Sequence, residues 1–404
     1  MYAEETATVA TELIELEEQY GAHNYHPLDV IIERASGAWV YDVDGKQYLD
    51  FLAAYSAVNQ GHCHPAILKA MTEQAARVTI TSRAFRNDQL PLLYRDLHEI
   101  TGFEMALPMN SGVEAVETAL KAARKWGETV KGVAAGQGEI IVCGNNFHGR
   151  TISVVGFSSE QQYKTGFGPF APGFKTVPFG DLEAFKAAIT PNTVGFLVEP
   201  VQGEAGIIVP PAGYLKAVSE ICKTNRVLLI LDEIQSGLGR TGELFCFEHD
   251  GIRPDVVTIG KALSGGFYPV SAVLSSKEIL GVFTPGDHGS TFGGNPLACA
   301  VARAALRVVV DEKLPQRSKE LGEYALTRLK ALKSDKIVEV RGKGLWIGIE
   351  LNTKARPICE ALQVRGVLCK ETHDNVIRLA PPLTISREDL SWGLEQIEAV
   401  LGTA

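Results

Sequence analysis

Four short apolar runs, at residues 140–143, 195–198, 227–231 and 256–259, each end abruptly in polar or glycine-rich sequence. Runs this short cannot cross a membrane, and their Val, Ile and Leu content suits strands buried on both faces. Helical stretches lie between several of them, including 212–225. Buried strands alternating with helices predict an α/β fold around a mostly parallel sheet. The carboxyl ends of such strands share one edge, and ligands bind at that edge. The chemistry of the chain is therefore expected from the residues that follow the four runs.

The third run, Val-Leu-Leu-Ile-Leu, closes on Asp232-Glu233, and the fourth leads directly into Lys261. Gly260, Ala262, Ser264, Gly265 and Gly266 leave space around that lysine. A desolvated lysine with room beside it suits Schiff-base chemistry, and a buried aspartate suits a cationic ring nitrogen. The pair points to pyridoxal 5'-phosphate (PLP) as cofactor. Upstream, Ser111 and Glu114 form a capping-box pattern in SGVEAVETALKAAR, and Gly112 lets a backbone approach a ligand closely. A helix start of this kind can seat a phosphate. Taken singly, each of these residues also reads as an ordinary strand end, turn or helix cap.

Two other motifs lead nowhere by the same standard. Gly237 to Gly242 matches G-x-G-x-x-G, but the strand ends five residues earlier and Gly251 and Pro254 follow where a helix is required. A nicotinamide or flavin site is not expected there. His62 and His64 flank Cys63, yet no second ligand pair accompanies them, and Pro65 marks the start of a helix to about Arg77. No metal is expected.

A net charge of −9 and an isoelectric point near 5.6 argue against nucleic acid or an anionic membrane as partner. The acidic stretch Met1–Glu18 has neither a basic nor an apolar leader character, so a cytoplasmic location is expected. The seven cysteines are scattered singly, which fits reduced thiols. Helical spacing covers 4–20, and GAWVYDVDGKQYLDF reads as a hairpin turning at Asp44-Gly45. From about residue 311, charged helices at 314–333 and 387–401 flank short strands within 337–351 and at 376–379. The expected division is an N-terminal segment (1–50) serving the small domain and the substrate site, a large PLP-binding domain (51–310), and a smaller α+β domain (311–404).

With these pieces together, the chain resembles the class III (omega-amino-acid) family of PLP-dependent aminotransferases of fold type I. The matching runs are SGVEAVETALKAAR, NFHGR, VEPVQGEAG, LDEIQSGLGRTG, IGKALSGGFYPVSAV, GSTFGGNPL and RGKGL, in family order. The resemblance implies that Lys261 carries PLP and shuttles the proton, and that Asp232 pairs with the ring nitrogen. It implies Gln235 near the phenolic oxygen and Phe147 on the ring face. Ser111, Gly112 and Val113 would hold the phosphate, with Thr291 and its neighbour Ser290 reaching the phosphate of the other subunit. That last role implies a homodimer with the site at the interface. His148 in NFHGR departs from the family pattern and is assigned no catalytic role.

YGAHNYHPL and FLAAYSAVNQGHCHP resemble the members that act on ornithine. That likeness implies Tyr25, Tyr55 and Arg150 around the α-amino and α-carboxylate groups. Glu204 would pair with Arg378 in one half-reaction and release it to 2-oxoglutarate in the other. Family members acting on acetylornithine or 4-aminobutyrate are the alternative, and a PLP-binding regulatory or scaffold protein is the non-enzyme one.

Overall fold

The computed structural model describes residues 9–402. The predicted first helix is present over Val9–Tyr20 (α1), and residues 4–8 of that expectation lie outside the described part. Strands β1 (Ile32–Ser36), β2 (Trp39–Asp42) and β3 (Gln47–Asp50) form an antiparallel meander. The β2–β3 turn is the expected hairpin. The Asp42 carboxylate closes it, accepting from the amides of Asp44 and Lys46 at 3.1 and 2.8 Å.

Seven strands make the central sheet: β4 (Met105–Met109), β5 (Glu139–Cys143), β6 (Phe174–Val177), β7 (Thr193–Val198), β8 (Leu228–Asp232), β9 (Val256–Ile259) and β10 (Ser271–Ser275). Their order is β4-β10-β9-β8-β7-β5-β6. The four apolar runs are β5, β7, β8 and β9, and they are paired in parallel. Only β10 runs against its neighbours, β9 and β4. Because β4 opposes β10, its carboxyl end joins those of the parallel strands on one edge.

Alternate side chains of these strands enter two separate cores. Ile140, Val142, Leu228 and Ile230 pack against the helix Gly112–Trp126 on one face. Ile141, Phe196, Leu229 and Leu231 pack with the helices Leu90–Thr101, Tyr214–Asn225 and Pro296–Asp311 on the other. Burial on both faces is what gives the strands their unbroken apolar sequence. Asn295 caps the last of those helices, its side chain accepting from the Ala298 amide at 2.8 Å, with Pro296 in the first turn.

The C-terminal part carries β11 (Ile337–Lys343), β12 (Trp346–Leu351), β13 (Val367–Leu368), β14 (Lys370–Thr372) and β15 (Val376–Leu379), with helices Leu314–Ala331 and Arg387–Leu401. RGKGLWIGIEL is a hairpin turning at Gly344 (φ +57), which accounts for the short strands expected within 337–351. Strands β11-β12-β15-β14 form one antiparallel sheet, while β13 pairs in parallel with β3 and so joins the N-terminal meander. Among the described residues no helix is long and apolar enough to cross a membrane.

Candidate active site

Strand ends β5, β7, β8 and β9 surround a cavity of about 270 Å³. Gly112, Val113, Phe147, Asp232, Gln235 and Lys261 all line it, together with His148 and Glu199. Asp232 is the last residue of β8 and is buried. Its Oδ1 accepts from the Thr258 hydroxyl and the Ile234 amide, both at 3.1 Å. Its Oδ2 lies 2.7 Å from Nδ1 of His148, whose other ring nitrogen has no partner among the described residues. Burial works against a charge on His148, but the Asp232 hydrogen bond and charge prevail and raise its pKa. A carboxylate clamped this way faces the cavity in one fixed orientation.

Lys261 follows β9 with φ +44, a left-handed conformation that a non-glycine residue holds only when its surroundings impose it. No hydrogen bond or ion pair engages its amine among the described residues. Burial lowers its pKa, against the opposing pull of Glu204 and Asp232. At the same edge, Ser111 caps the helix and Glu114 answers it, as the capping box predicts. The Ser111 hydroxyl lies 3.0 Å from the Glu114 carboxylate and accepts from its amide at 3.4 Å. The amides of Gly112 and Val113 keep no acceptor among the described residues, which leaves a two-amide anion seat at the helix start. Gly149 (φ +123) is needed here, since a Cβ on it would come within 2.5 Å of Val113.

Glu204, on the loop after β7, and Arg378, on β15, meet beside the cavity. Both Nη atoms of Arg378 donate to Glu204 Oε1 at 3.0 Å. The Arg378 side chain is 2% exposed and that of Glu204 24%. Gln235 ties the pair together, its Oε1 accepting from Arg378 at 2.7 Å and its Nε2 donating to Glu204 at 3.0 Å. Burial alone would raise the Glu204 pKa, yet the charge and hydrogen bonds of Arg378 bring it below the usual range. The Arg378 guanidinium lies over the Tyr55 ring, 5.2 Å from its centroid.

Tyr55 stands on an unusual backbone. Ala53, Ala54, Tyr55 and Ser56 have φ of +48, +46, +59 and +72, forming a single left-handed turn without glycine. Such a turn costs roughly 1–2 kcal/mol per residue.

Arg150 occupies a neighbouring cavity of about 370 Å³ with Asn24, Tyr25, Tyr163 and Phe167. Its guanidinium stacks 3.6 Å from the Tyr163 ring centroid and 5.5 Å from that of Phe147. Tyr25 is 76% exposed, and Arg356 fixes its segment by donating to the carbonyls of His26 and Pro27 at 3.1 and 2.7 Å. Ser290 and Thr291 do not line either cavity. Ser290 accepts from the Asn110 side chain at 2.8 Å. His62 and His64 engage Asp50 and Glu312 respectively, at 2.7 and 2.8 Å.

Three side chains here had escaped the sequence reading. His148, passed over as a departure from the family pattern, is in direct contact with Asp232. Glu199 directly follows β7 and accepts from the amides of Phe147 and Gly203, and burial pushes its carboxyl up to about 7. The strand-edge rule applied to every residue after β5 and β7 would have found both. Tyr163 lies in an irregular segment that gives no such signal.

These features fit PLP. A braced carboxylate to accept from its ring nitrogen, an unengaged lysine for its aldehyde and a two-amide seat to donate to its phosphate lie within one cavity. Comparison with known proteins carries the same point to the whole chain. The family model for "Aminotransferase class-III" matches residues 20–401. The chain belongs to the class III aminotransferases. Ornithine aminotransferases of a Geobacillus species and of Bordetella pertussis are 58% and 60% identical to it, over 96% and 98% of this chain and 98% and 97% of theirs. Among solved structures, the ornithine aminotransferase of Toxoplasma gondii superposes with a TM-score of 0.97 at 42% identity, covering 98% of this chain and 95% of that one. The acetylornithine aminotransferase of Elizabethkingia anophelis gives 0.89 at 48% identity, covering 97% and 98%. The class III fold, with its mixed sheet and cofactor edge, is thus shared by members of differing substrate.

Proposed function

We propose that this class III aminotransferase moves the δ-amino group of L-ornithine to 2-oxoglutarate, giving glutamate 5-semialdehyde, which cyclises to pyrroline-5-carboxylate, and glutamate. The observation that carries the reading is a pair of arginines in two different electrical states. Arg150 has a cavity of its own beside Tyr25 and an aromatic plate under its guanidinium. Arg378 is neutralised by Glu204. A site that takes a diamino acid by its far end and a diacid by its near end needs one permanent and one concealable cation.

PLP, when bound, supplies the carbonyl that takes up the amine and the ring that accepts electrons. The residues of the chain do the rest. Lys261, whose burial favours the neutral amine, would hold the cofactor and move the proton at the substrate carbon bearing the reacting amine. Asp232, held by His148 and Thr258, keeps the ring nitrogen protonated. Phe147 and Gln235, which line the cavity, would hold the ring by its face and its phenolic oxygen. Gly112 and Val113 would receive the phosphate through their amides, with Ser111 at the cap. Arg150 and Tyr25 take the α-carboxylate and α-amino group of ornithine, and Tyr55 lines that end of the pocket. Glu204 screens Arg378 until the diacid arrives.

The enzyme acts as a homodimer in this reading, with Ser290 and Thr291 reaching the partner's phosphate. Arg83 and Asn87 bind the loop carrying them through the carbonyls of Gly293 and Gly294, both at 3.3 Å. Phe85 and Phe292 on these segments are 72% and 47% exposed, as a surface awaiting a second copy would be. Seven free thiols, six of them buried, suit a reducing cytoplasm.

The test is to add ornithine, without any oxoacid, to the cofactor-loaded protein. The cofactor colour should fade, and o-aminobenzaldehyde should trap pyrroline-5-carboxylate. Equal turnover of N-acetylornithine would replace this assignment with the acetylornithine one, and a cofactor that no amine bleaches would point to a binding protein.

A further inference from the structure

The left-handed turn at Ala53–Ser56 is held from outside. Asp50, at the end of β3, accepts through Oδ1 from the amides of Leu52 and Ala53 at 2.8 and 2.9 Å, directing the chain into the turn. Its Oδ2 lies 2.7 Å from His62 Nε2. His62 is itself fixed, because its backbone exchanges two hydrogen bonds with Gly37, at 3.0 and 2.8 Å. Past the turn, Gln60 donates to the carbonyls of Ala262 and Ala305 at 2.7 and 3.2 Å, so the exit is anchored beside Lys261.

A chain of Ala, Ala, Tyr and Ser has no local reason to wind left-handed, since none of these residues is relieved there as glycine is. Strain that persists must be imposed by its surroundings, and it collects where it positions something. Here it positions Tyr55, whose ring lies against Arg378 at the edge of the gate.

We propose that His62 is a positioning residue for substrate selection: through Asp50 it braces the left-handed turn that holds Tyr55 against Arg378. The proposal rests on the ornithine reading. It accounts for the histidine of GHCH, which has no part in the cofactor site. The diamino acid meets Tyr55 at its α-end, whereas the diacid meets the Arg378 charge. Loss of the brace therefore weakens the first substrate more than the second.

The experiment compares His62→Leu, His62→Gln, Ala54→Gly and the double variant His62→Leu/Ala54→Gly in cofactor-loaded protein. Each half-reaction is measured separately and thermal denaturation is followed alongside. His62→Leu should raise the KM for ornithine about tenfold, leaving kcat, the 2-oxoglutarate half-reaction and the cofactor absorbance within about twofold. His62→Gln keeps a donor for Asp50 and should recover most of the loss. Glycine at 54 tolerates positive φ, so the double variant should recover as well. Ala54→Gly alone should hold or raise the melting temperature, by roughly 1–2 °C. Equal losses in both half-reactions, or no recovery with glycine, would overturn the proposal. If the unaltered protein does not transaminate ornithine, the substrate assignment fails. The denaturation arm then decides the brace: a His62→Leu loss that Ala54→Gly does not offset refutes it.

Discussion

Replacing Glu204 by glutamine would expose the logic of the gate most directly. The change keeps the side chain's size and its contact with Gln235 but removes the charge that faces Arg378. Two unit charges about 4 Å apart attract by about 4 kcal/mol at an effective dielectric constant of 20. Glu204 is partly exposed, so solvent screens some of this. Roughly half, about 2 kcal/mol, is a reasonable net value. That much uncompensated positive charge would then face the incoming diamino acid. At 1.4 kcal/mol per tenfold, ornithine should lose about 30-fold in kcat/KM. The half-reaction with 2-oxoglutarate should hold or improve, because Arg378 no longer has to be released. Rapid mixing of each cofactor form with its own substrate separates the two effects. Parallel losses in both half-reactions would refute the gate, since an uncharged Arg378 partner cannot harm diacid binding electrostatically.

Three further outcomes follow from the geometry. Lys261→Ala should abolish turnover while cofactor remains bound, and borohydride should then leave none of it covalently attached on mass spectrometry. Tyr163→Leu removes the ring under Arg150, a contact worth about 1 kcal/mol, and should raise the KM for ornithine about fivefold with little change in kcat. Glu199→Gln tests the buried carboxyl. Its pKa is raised from 4.5 to about 7, so the folded protein keeps the proton that the unfolded chain loses. Stability should therefore fall as pH rises from 4.5 to 7, by at most roughly 3 kcal/mol, and stay level above. The glutamine variant should lack that fall, so its urea midpoint should exceed the parent's at pH 8 and approach it near pH 5. Parallel pH curves for the two proteins would count against a buried, protonated Glu199.

The parts of this molecule that were legible in advance are those where one residue's environment follows from its position in the chain. Strands β5, β7, β8 and β9 lie in the sheet interior, so both faces demand apolar side chains and the pattern is continuous. Asp232 and Lys261 could be placed because they follow such strands directly. Strands β4 and β6 were not distinguished, since both are edges and several of their residues are only half-buried. Strand β10 is fully buried, but its sequence SAVLS is bracketed by small polar residues and does not stand out. His148 became significant only when the sheet brought the ends of β5 and β8 to one edge, with β7 between them, and set its ring against Asp232. The left-handed turn is the extreme case. Alanine favours right-handed helix more than any other residue, so local preference at Ala53 and Ala54 points away from the backbone actually adopted. The information that overrides it sits in Asp50 and His62, one element before and one after, and neither resembles a catalytic group. A site residue such as Tyr55 can be named from a motif, but the force that aims it comes from contacts that motif does not contain.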